Sequence, residues 1–532
     1  MRNFELPGRS LAVSRHGMAA TSHPAATLVA VNILQEGGSA IDAAVAACAV
    51  QGVVEAGSTG IGGDCFMLMS KGGSTDLIAY NGSGRAPGVA TLDWFEGQGI
   101  AKIEPRSVHS VTIPGAVEAW SRLIADHGKF DLGRVLAPAV KLAREGYAIT
   151  PRVAYDLGHA VEFLNRNDAA REALLGADGK GLPVGAVHTQ PRLADTLEAI
   201  GRNGPAAFYR GRIAEDMVES LRAAGGLQTL DDFAATNGEY VKPISTDFRG
   251  RMVYECPPNG QGVIALLIMN ILSRFAPKGG PLEIDNLHVE IEATRLAYAA
   301  RNQFLGDTPQ DGAKTVAYLL SDKLADELAA RIDVRGRALT LPTFEEVEHR
   351  DTVYITVVDK DRNAVSFINS LFFVYGAAIM SRNSGVLFHN RGTGFDLRRG
   401  HANAIAPGKR PMHTIIPGMV AEQGRVSMSF GVMGGHYQAM GHAYFLSKLF
   451  DHGMDMQSAM DLPRLFPQPA TGTIDLERTL LDRHGAELTR RGFTVGPALH
   501  PIGGAQAIAI DWQRGVLIGA SDPRKDGCAL GW

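Results

Sequence analysis

Two short runs, residues 352–358 and 364–368, constrain this chain more than any other stretch. Thr352, Val353, Tyr354, Ile355, Thr356, Val357 and Val358 are almost all β-branched or aromatic. The polar turn Asp359, Lys360, Asp361, Arg362 and Asn363 separates them from Ala364, Val365, Ser366, Phe367 and Ile368. That composition and spacing predict an antiparallel hairpin. The residues ahead of it behave differently. Arg335, Gly336, Arg337, Pro342, Glu345, Glu346 and Glu348 belong to a polar, proline-broken stretch without an apolar period, which predicts an exposed loop. A threonine therefore stands at a loop-to-strand junction, directly after His349, Arg350 and Asp351.

A threonine in that position suits a nucleophile that becomes a chain terminus by cutting its own peptide bond. The Thr352 hydroxyl would attack the Asp351 carbonyl and shift the acyl group from nitrogen to oxygen. Hydrolysis of the ester then frees an α-amine. A threonine hydroxyl is a poor nucleophile at its own pKa, and an adjacent terminal amine can take its proton in place of a separate histidine. On local pattern alone the other reading stays open: Thr352 is a β-former that begins a strand.

Composition excludes several classes of function. The net charge of -4 over 532 residues comes from interspersed signs, with neither a basic stripe carrying stacking aromatics nor a long acidic tail, so no nucleic-acid partner is expected. The opening residues, Met1 to Pro7, lack an apolar signal core and no run approaches membrane-spanning length, so no membrane partner is expected and the cytoplasm is the expected compartment. Cys48, Cys65, Cys256 and Cys528 are too scattered for a disulfide framework. The 16 histidines form no metal-binding motif, and no metal or cofactor is expected. Gly60-Ile61-Gly62-Gly63 lacks dinucleotide-loop spacing and Gly408-Lys409-Arg410 lacks the rest of a phosphate loop, so both read as turns.

Along the chain, periodicity predicts helices at 24–35 and 39–53, strands at 65–69 and 76–80, and a mainly helical stretch from 114 to 232. A strand at 251–255 leads through the breaker-rich run 257–262 to an apolar helix at 263–272. Helices follow at 284–305 and 316–332, strands after Thr352, and further helices at 437–451 and 477–491. No linker-like composition divides the chain, so one structural domain is expected.

Ordered motifs over nearly the whole length resemble the γ-glutamyltransferase family of N-terminal-nucleophile hydrolases. They include Gly17-Met18-Ala19-Ala20, the run from Ala30 to Val45, Gly60-Ile61-Gly62-Gly63-Asp64-Cys65-Phe66-Met67, Arg85-Ala86-Pro87, Pro114-Gly115-Ala116-Val117, the run from Leu136 to Gly146, Gly434-Gly435, and Gly519-Ala520-Ser521-Asp522-Pro523-Arg524. The resemblance implies an α+β fold, a four-layer αββα sandwich. It implies a precursor cut between Asp351 and Thr352 into a large fragment, 1–351, and a small fragment, 352–532. These would form a heterodimer, with a dimer of heterodimers as a further option. It makes Thr352 the nucleophile, Ser370 the hydroxyl that hydrogen-bonds it, and Gly434 and Gly435 the oxyanion hole.

The pattern departs from the family where γ-glutamyl enzymes hold the amino-acid end of their substrate. The arginine position falls on Ser83, the asparagine on Phe372, the glutamine on Arg391, the aspartate on Gly394 and the serine pair on His413 and Thr414. Without a facing carboxylate a glutamyl ammonium would be buried unpaired. Arg391 and Arg85 offer guanidinium forks for a carboxylate, and Phe372, Phe373 and Tyr375 would narrow the pocket. This altered set resembles the oxamate amidohydrolase-like subgroup and implies a small amide substrate that carries a carboxylate. Two other readings stay open: a γ-glutamyl hydrolase or transferase acting on glutathione or γ-glutamyl amides, and a non-catalytic binding protein.

Overall fold

The computed structural model describes residues 8–308, 311–343 and 352–532. The expected hairpin is present as Val353–Val358 paired with Ala364–Ser370, and it forms the centre of a seven-stranded antiparallel sheet. In order across this sheet run Cys528–Gly531, Met18–Thr21, the two hairpin strands, Asp64–Ser70, Ile78–Gly82 and Glu239–Val241. A second seven-stranded antiparallel sheet orders Ala12–Ser14, Val516–Ser521, Gly504–Asp511, Arg425–Met433, Gly418–Glu422, Arg251–Glu255 and Ile244–Phe248.

Side-chain alternation along the hairpin explains how the layers stack. Tyr354, Val358, Ile368, Phe66 and Leu68 point into a core shared with Met419, Val426, Ile508 and Ile510 of the second sheet. Ile355, Val357, Val365, Phe367 and Met67 point the other way, against helices Pro24–Gln35, Ala40–Val54 and Ala116–His127. The outer face of the second sheet, with Val253, Val420, Phe430 and Val432, packs on Gly262–Leu272, Ile284–Phe304 and Tyr437–Phe450. The result is the αββα sandwich. Helix Ala40–Val54 is buried along its whole length, as a helix apolar on every face must be, and a reciprocal Ser39–Asp42 cap starts it.

Most differences from the sequence reading have local causes. The helix expected at 316–332 is two, Gly312–Leu319 and Asp322–Ala329, because the Ser321 side chain accepts from the Leu324 N–H and caps a new start. The strands Ala12–Ser14, Met18–Thr21, Glu239–Val241 and Ile244–Phe248 are too short for alternation to announce them. They are strands because remote partners pair with them.

Candidate active site

Carried one step beyond Val353 opposite Asn369, the hairpin register sets Thr352 opposite Ser370, and Ser370 is in turn opposite Asp64 on the next strand. Directly opposed residues in antiparallel strands share a face. Thr352, Ser370 and Asp64 thus form a row at the end of the sheet, on the face that looks toward the second sheet, and all three are fully buried. The Thr352 and Ser370 hydroxyls are 3.1 Å apart. Ser370 Oγ also accepts the Phe372 N–H at 2.9 Å, which fixes the hydroxyl against its own turn.

The facing strand, Arg425–Met433, registers closely with the hairpin. Thr356 donates to Ser429 Oγ at 2.8 Å, and a Cβ on Gly431 would fall 2.3 Å from the Tyr354 ring. Beyond Met433 this strand turns through Gly434, φ +126°, and Gly435, φ +58°, into helix Tyr437–Phe450. A Cβ at Gly434 would lie 2.9 Å from Gly503 Cα, so only glycine allows this turn. Among the described residues neither N–H of the pair is engaged in a hydrogen bond. Gln438, the second residue of the helix, donates Nε2–H to Thr352 Oγ1 at 3.3 Å and accepts the Ile416 N–H on Oε1 at 3.2 Å.

A buried charge cluster flanks the hydroxyl pair. Arg391, 0% exposed, donates from Nη1 to Thr414 Oγ1 at 2.9 Å and stacks its guanidinium 3.9 Å from the centre of the Phe372 ring. Among the described residues its Nε and Nη2 have no hydrogen-bond partner. Burial pulls Arg391 down to about 9, opposed by the nearby Asp64 charge, so it stays cationic at neutral pH. Asp64 is saturated. Oδ1 accepts the Gly84 and Gly115 N–H groups at 2.9 and 3.1 Å, and Oδ2 accepts His413 Nε2 at 3.0 Å with His389 Nδ1 3.5 Å away. Burial alone would raise the Asp64 carboxyl, but His389 and His413 together hold it well below the usual carboxylate range. Burial and then the Arg391 cation push His413 down to about 3, which makes it a neutral donor to an ionised Asp64.

A cavity of about 600 Å³ opens beside this cluster, lined in part by Phe372, Phe373, Gly394, Arg301, Met412 and His436. Thr343, the last described residue before Thr352, also lines it. Phe372 both faces this space and covers Arg391, and it does so from φ +77°, which a phenylalanine adopts only when its surroundings impose it.

The structure therefore brings together Thr352, Ser370, Gly434, Gly435, Arg391, Thr414 and Phe372. Three expected substrate contacts lie differently. Arg85 bonds elsewhere: its neighbours on either side are pinned, Gly84 N–H to Asp64 and Ala86 N–H to the Lys409 carbonyl, and its guanidinium donates to the Gly408 carbonyl at 3.2 Å with Arg410, Asp307 and Glu239 as the charges around it. Tyr375 turns from the cavity at φ +58° and packs with Leu157, Leu371 and Leu387. His413 engages both ring nitrogens within the protein, Nε2 on Asp64 and Nδ1 with the Ile415 N–H at 3.4 Å. Asp351 lies outside the described residues. Asp64, His389 and Gln438 were not singled out for the site from the sequence. A signal existed for Asp64 alone, an acid inside the apolar run Cys65-Phe66-Met67-Leu68-Met69, because a buried carboxylate needs dedicated partners.

The chain is similar to known proteins over nearly its whole length. A family model described as gamma-glutamyltranspeptidase matches residues 26–532. The glutathione hydrolase-like YwrD proenzyme of Bacillus subtilis is 34% identical over 525 residues, covering 97% of this chain and 98% of that protein. The oxamate amidohydrolase proenzyme of Klebsiella pneumoniae is 32% identical over 535 residues, covering 98% and 99%. Cephalosporin acylase from Bacillus halodurans superposes with a TM-score of 0.91 at 35% identity, covering 100% of this chain and 99% of that one. On this similarity the chain belongs to the gamma-glutamyltranspeptidase family of N-terminal-nucleophile amidohydrolases.

Proposed function

We propose that this enzyme cuts itself between Asp351 and Thr352 and then hydrolyses a small amide whose acyl part carries a carboxylate, of the oxamate class. The observation that carries this reading is Arg391, a buried guanidinium with two unpartnered nitrogens beside the Thr352–Ser370 pair. Those N–H groups offer a planar fork that a carboxylate fills with two charge-assisted hydrogen bonds. Asp64, the nearby acid, already has its oxygens occupied, so an ammonium group entering with the carboxylate has no acceptor there.

In this reading Thr352 Oγ attacks the amide carbon, and its proton passes to the α-amine freed by self-cleavage. The Gly434 and Gly435 N–H groups receive the negative charge that develops on the carbonyl oxygen. The C–N bond breaks as the amine returns the proton to the leaving nitrogen, and water then hydrolyses the Thr352 ester. Strands from before and after Thr352 alternate in both sheets, Met18–Thr21 beside Val353–Val358 for example, so the two fragments would stay interleaved after the cut.

The cavity favours a second reading. About 600 Å³ is more than an oxamate-sized molecule needs, and it suits a γ-glutamyl amide or another acyl donor with a bulky leaving group. A panel of oxamate, glutathione and a γ-glutamyl anilide, with ammonia and glutamate release measured separately, tests both. Ammonia release from oxamate with little glutamate release supports the first reading, and efficient glutathione hydrolysis overturns it.

A further inference from the structure

We propose that Gln261 is a positioning residue that sets the distance between the carboxylate fork and the oxyanion turn, and through it the length of acyl chain the enzyme accepts. This rests on the reading of Arg391 as the fork and of Gly434 and Gly435 as the oxyanion donors. Gln261 lies in the breaker-rich run 257–262, directly before helix Gly262–Leu272, and is fully buried. Its amide makes three bonds. Nε2 donates to the Gly435 carbonyl at 2.8 Å and to the Thr414 carbonyl at 2.9 Å, and Oε1 accepts Arg301 Nη1 at 3.1 Å. The two carbonyls can only accept and the guanidinium can only donate, so the amide has one possible orientation.

Each carbonyl belongs to a different half of the site. Gly435 sits at φ +58°, a conformation that glycine permits but does not itself enforce, so its anchors decide how the turn lies. Besides the Gln438 N–H at 3.1 Å within the turn, its carbonyl is anchored by Gln261, and the next carbonyl, that of His436, is anchored by the Tyr298 hydroxyl. Thr414 carries the Oγ1 that accepts Arg391 Nη1 at 2.9 Å. Its chain is laid beside the Gln261 segment, with the His413 N–H on the Asn259 carbonyl and the Gln261 N–H on the His413 carbonyl. One planar amide therefore fixes fork and turn relative to each other. In oxamate the carboxylate carbon is bonded directly to the amide carbon. Once the carboxylate is seated, the reacting carbonyl has a single torsion with which to find the oxyanion donors, and each added methylene supplies another. A short acyl part needs a fixed spacing, whereas a longer one can compensate for an altered spacing.

The test uses the full-length chain, with turnover followed per cleaved molecule on oxamate, on the half-amides of malonic and succinic acid, and on an uncharged ester. Wild-type kcat/KM should fall by about tenfold or more from oxamate to the succinic half-amide. In Gln261→Met, of similar length and apolar, kcat for oxamate should drop by about a hundredfold while KM changes little, since Arg391 still takes the carboxylate. The succinic half-amide and the ester should each lose less, so the preference for oxamate narrows. Ratios measured within one preparation do not depend on how much of it folds. If Gln261→Met does not fold at all, Gln261→Glu, of the same shape and able to keep Arg301, gives the same comparison, and the wild-type length series needs no variant. Equal losses on every substrate overturn the proposal, because Gln261 then only supports the fold. Loss confined to KM overturns it too, since Gln261 then only holds the Thr414 wall, and so does equal wild-type kcat/KM for all three half-amides. Wild-type enzyme that hydrolyses the ester but no half-amide overturns the carboxylate reading itself.

Discussion

Replacing Arg391 with glutamine should cost activity without costing stability. The guanidinium is fully buried, makes one hydrogen bond, to Thr414, and leaves Nε and Nη2 without partners. An uncompensated buried charge costs a free protein several kcal/mol, against which the Phe372 stack and the Asp64 field return part. Removing it should leave the melting temperature unchanged or raise it. Substrate recognition should suffer: a lost bidentate contact between a guanidinium and a carboxylate is worth about 1.5–4 kcal/mol, or roughly tenfold to a thousandfold in kcat/KM. The assay compares kcat/KM for oxamate with that for an uncharged ester, next to a thermal melt. The ester rate should change little, since Thr352, Ser370 and the glycine pair are intact. Equal losses on both substrates, or a fall of many degrees in melting temperature, would show that Arg391 supports the fold and refute the carboxylate reading.

Purified protein should resolve on a denaturing gel into two fragments, the smaller about a third of the mass and beginning at Thr352 on sequencing. Thr352→Ala should remain whole and inactive, and cleavage in that variant would point to another nucleophile or an external protease. Gly434→Ala should cost about a hundredfold or more in kcat, because its Cβ would meet Gly503 and move the donors; near-normal kcat would remove the glycine pair from the oxyanion hole. Phe372→Ala should raise turnover of larger carboxylate-bearing amides relative to oxamate, and an unchanged ratio would mean Phe372 does not limit substrate size. For pH, burial and the Arg391 cation hold His413 at about 3, below its ordinary 6.5. The unfolded chain therefore binds the extra proton between those values, and stability falls as pH drops through that window. His413→Gln should make the melting temperature fall less steeply there, and an identical slope would clear His413 of the effect. His23 and His288, both held at about 4, keep some slope in the variant.

The Thr352–Ser370 contact came from the family resemblance, but the hairpin on which it depends was legible because it is local. A turn at 359–363 that pairs Val358 with Ala364 necessarily sets Thr352 opposite Ser370, whatever the rest of the molecule does. Long helices such as Ala40–Val54 and Ile284–Phe304 were legible for the same reason, each carrying its own apolar pattern. Asp64 lies one strand further across the row, but that pairing joins segments some 300 residues apart, and no local pattern encodes its register. Gln438 depends on how the strand Arg425–Met433 leans over the hairpin and where the next helix starts. Arg85 misled because a favourable residue type says nothing about where a pinned backbone sends its side chain.

Charge placement then argues for what the site accepts. Arg391 is positive, Asp64 negative and His413 neutral, so the cluster is balanced as a whole yet uneven in its unmet demand. Among the described residues the Asp64 oxygens accept three hydrogen bonds, two backbone N–H groups on Oδ1 and His413 Nε2 on Oδ2, whereas two Arg391 nitrogens make none. A carboxylate satisfies the nitrogens without disturbing the acid. A zwitterionic glutamyl group could use the same fork, but its ammonium would have to take Asp64 from His413 or the backbone, breaking bonds that hold the Thr352 row in place. Discrimination against the ammonium thus follows from donors that already occupy Asp64, and it requires no repulsive group. Freeing one of those oxygens, as His413→Phe would, should weaken discrimination against γ-glutamyl substrates relative to oxamate, and an unchanged preference would show that Asp64 takes no part in it.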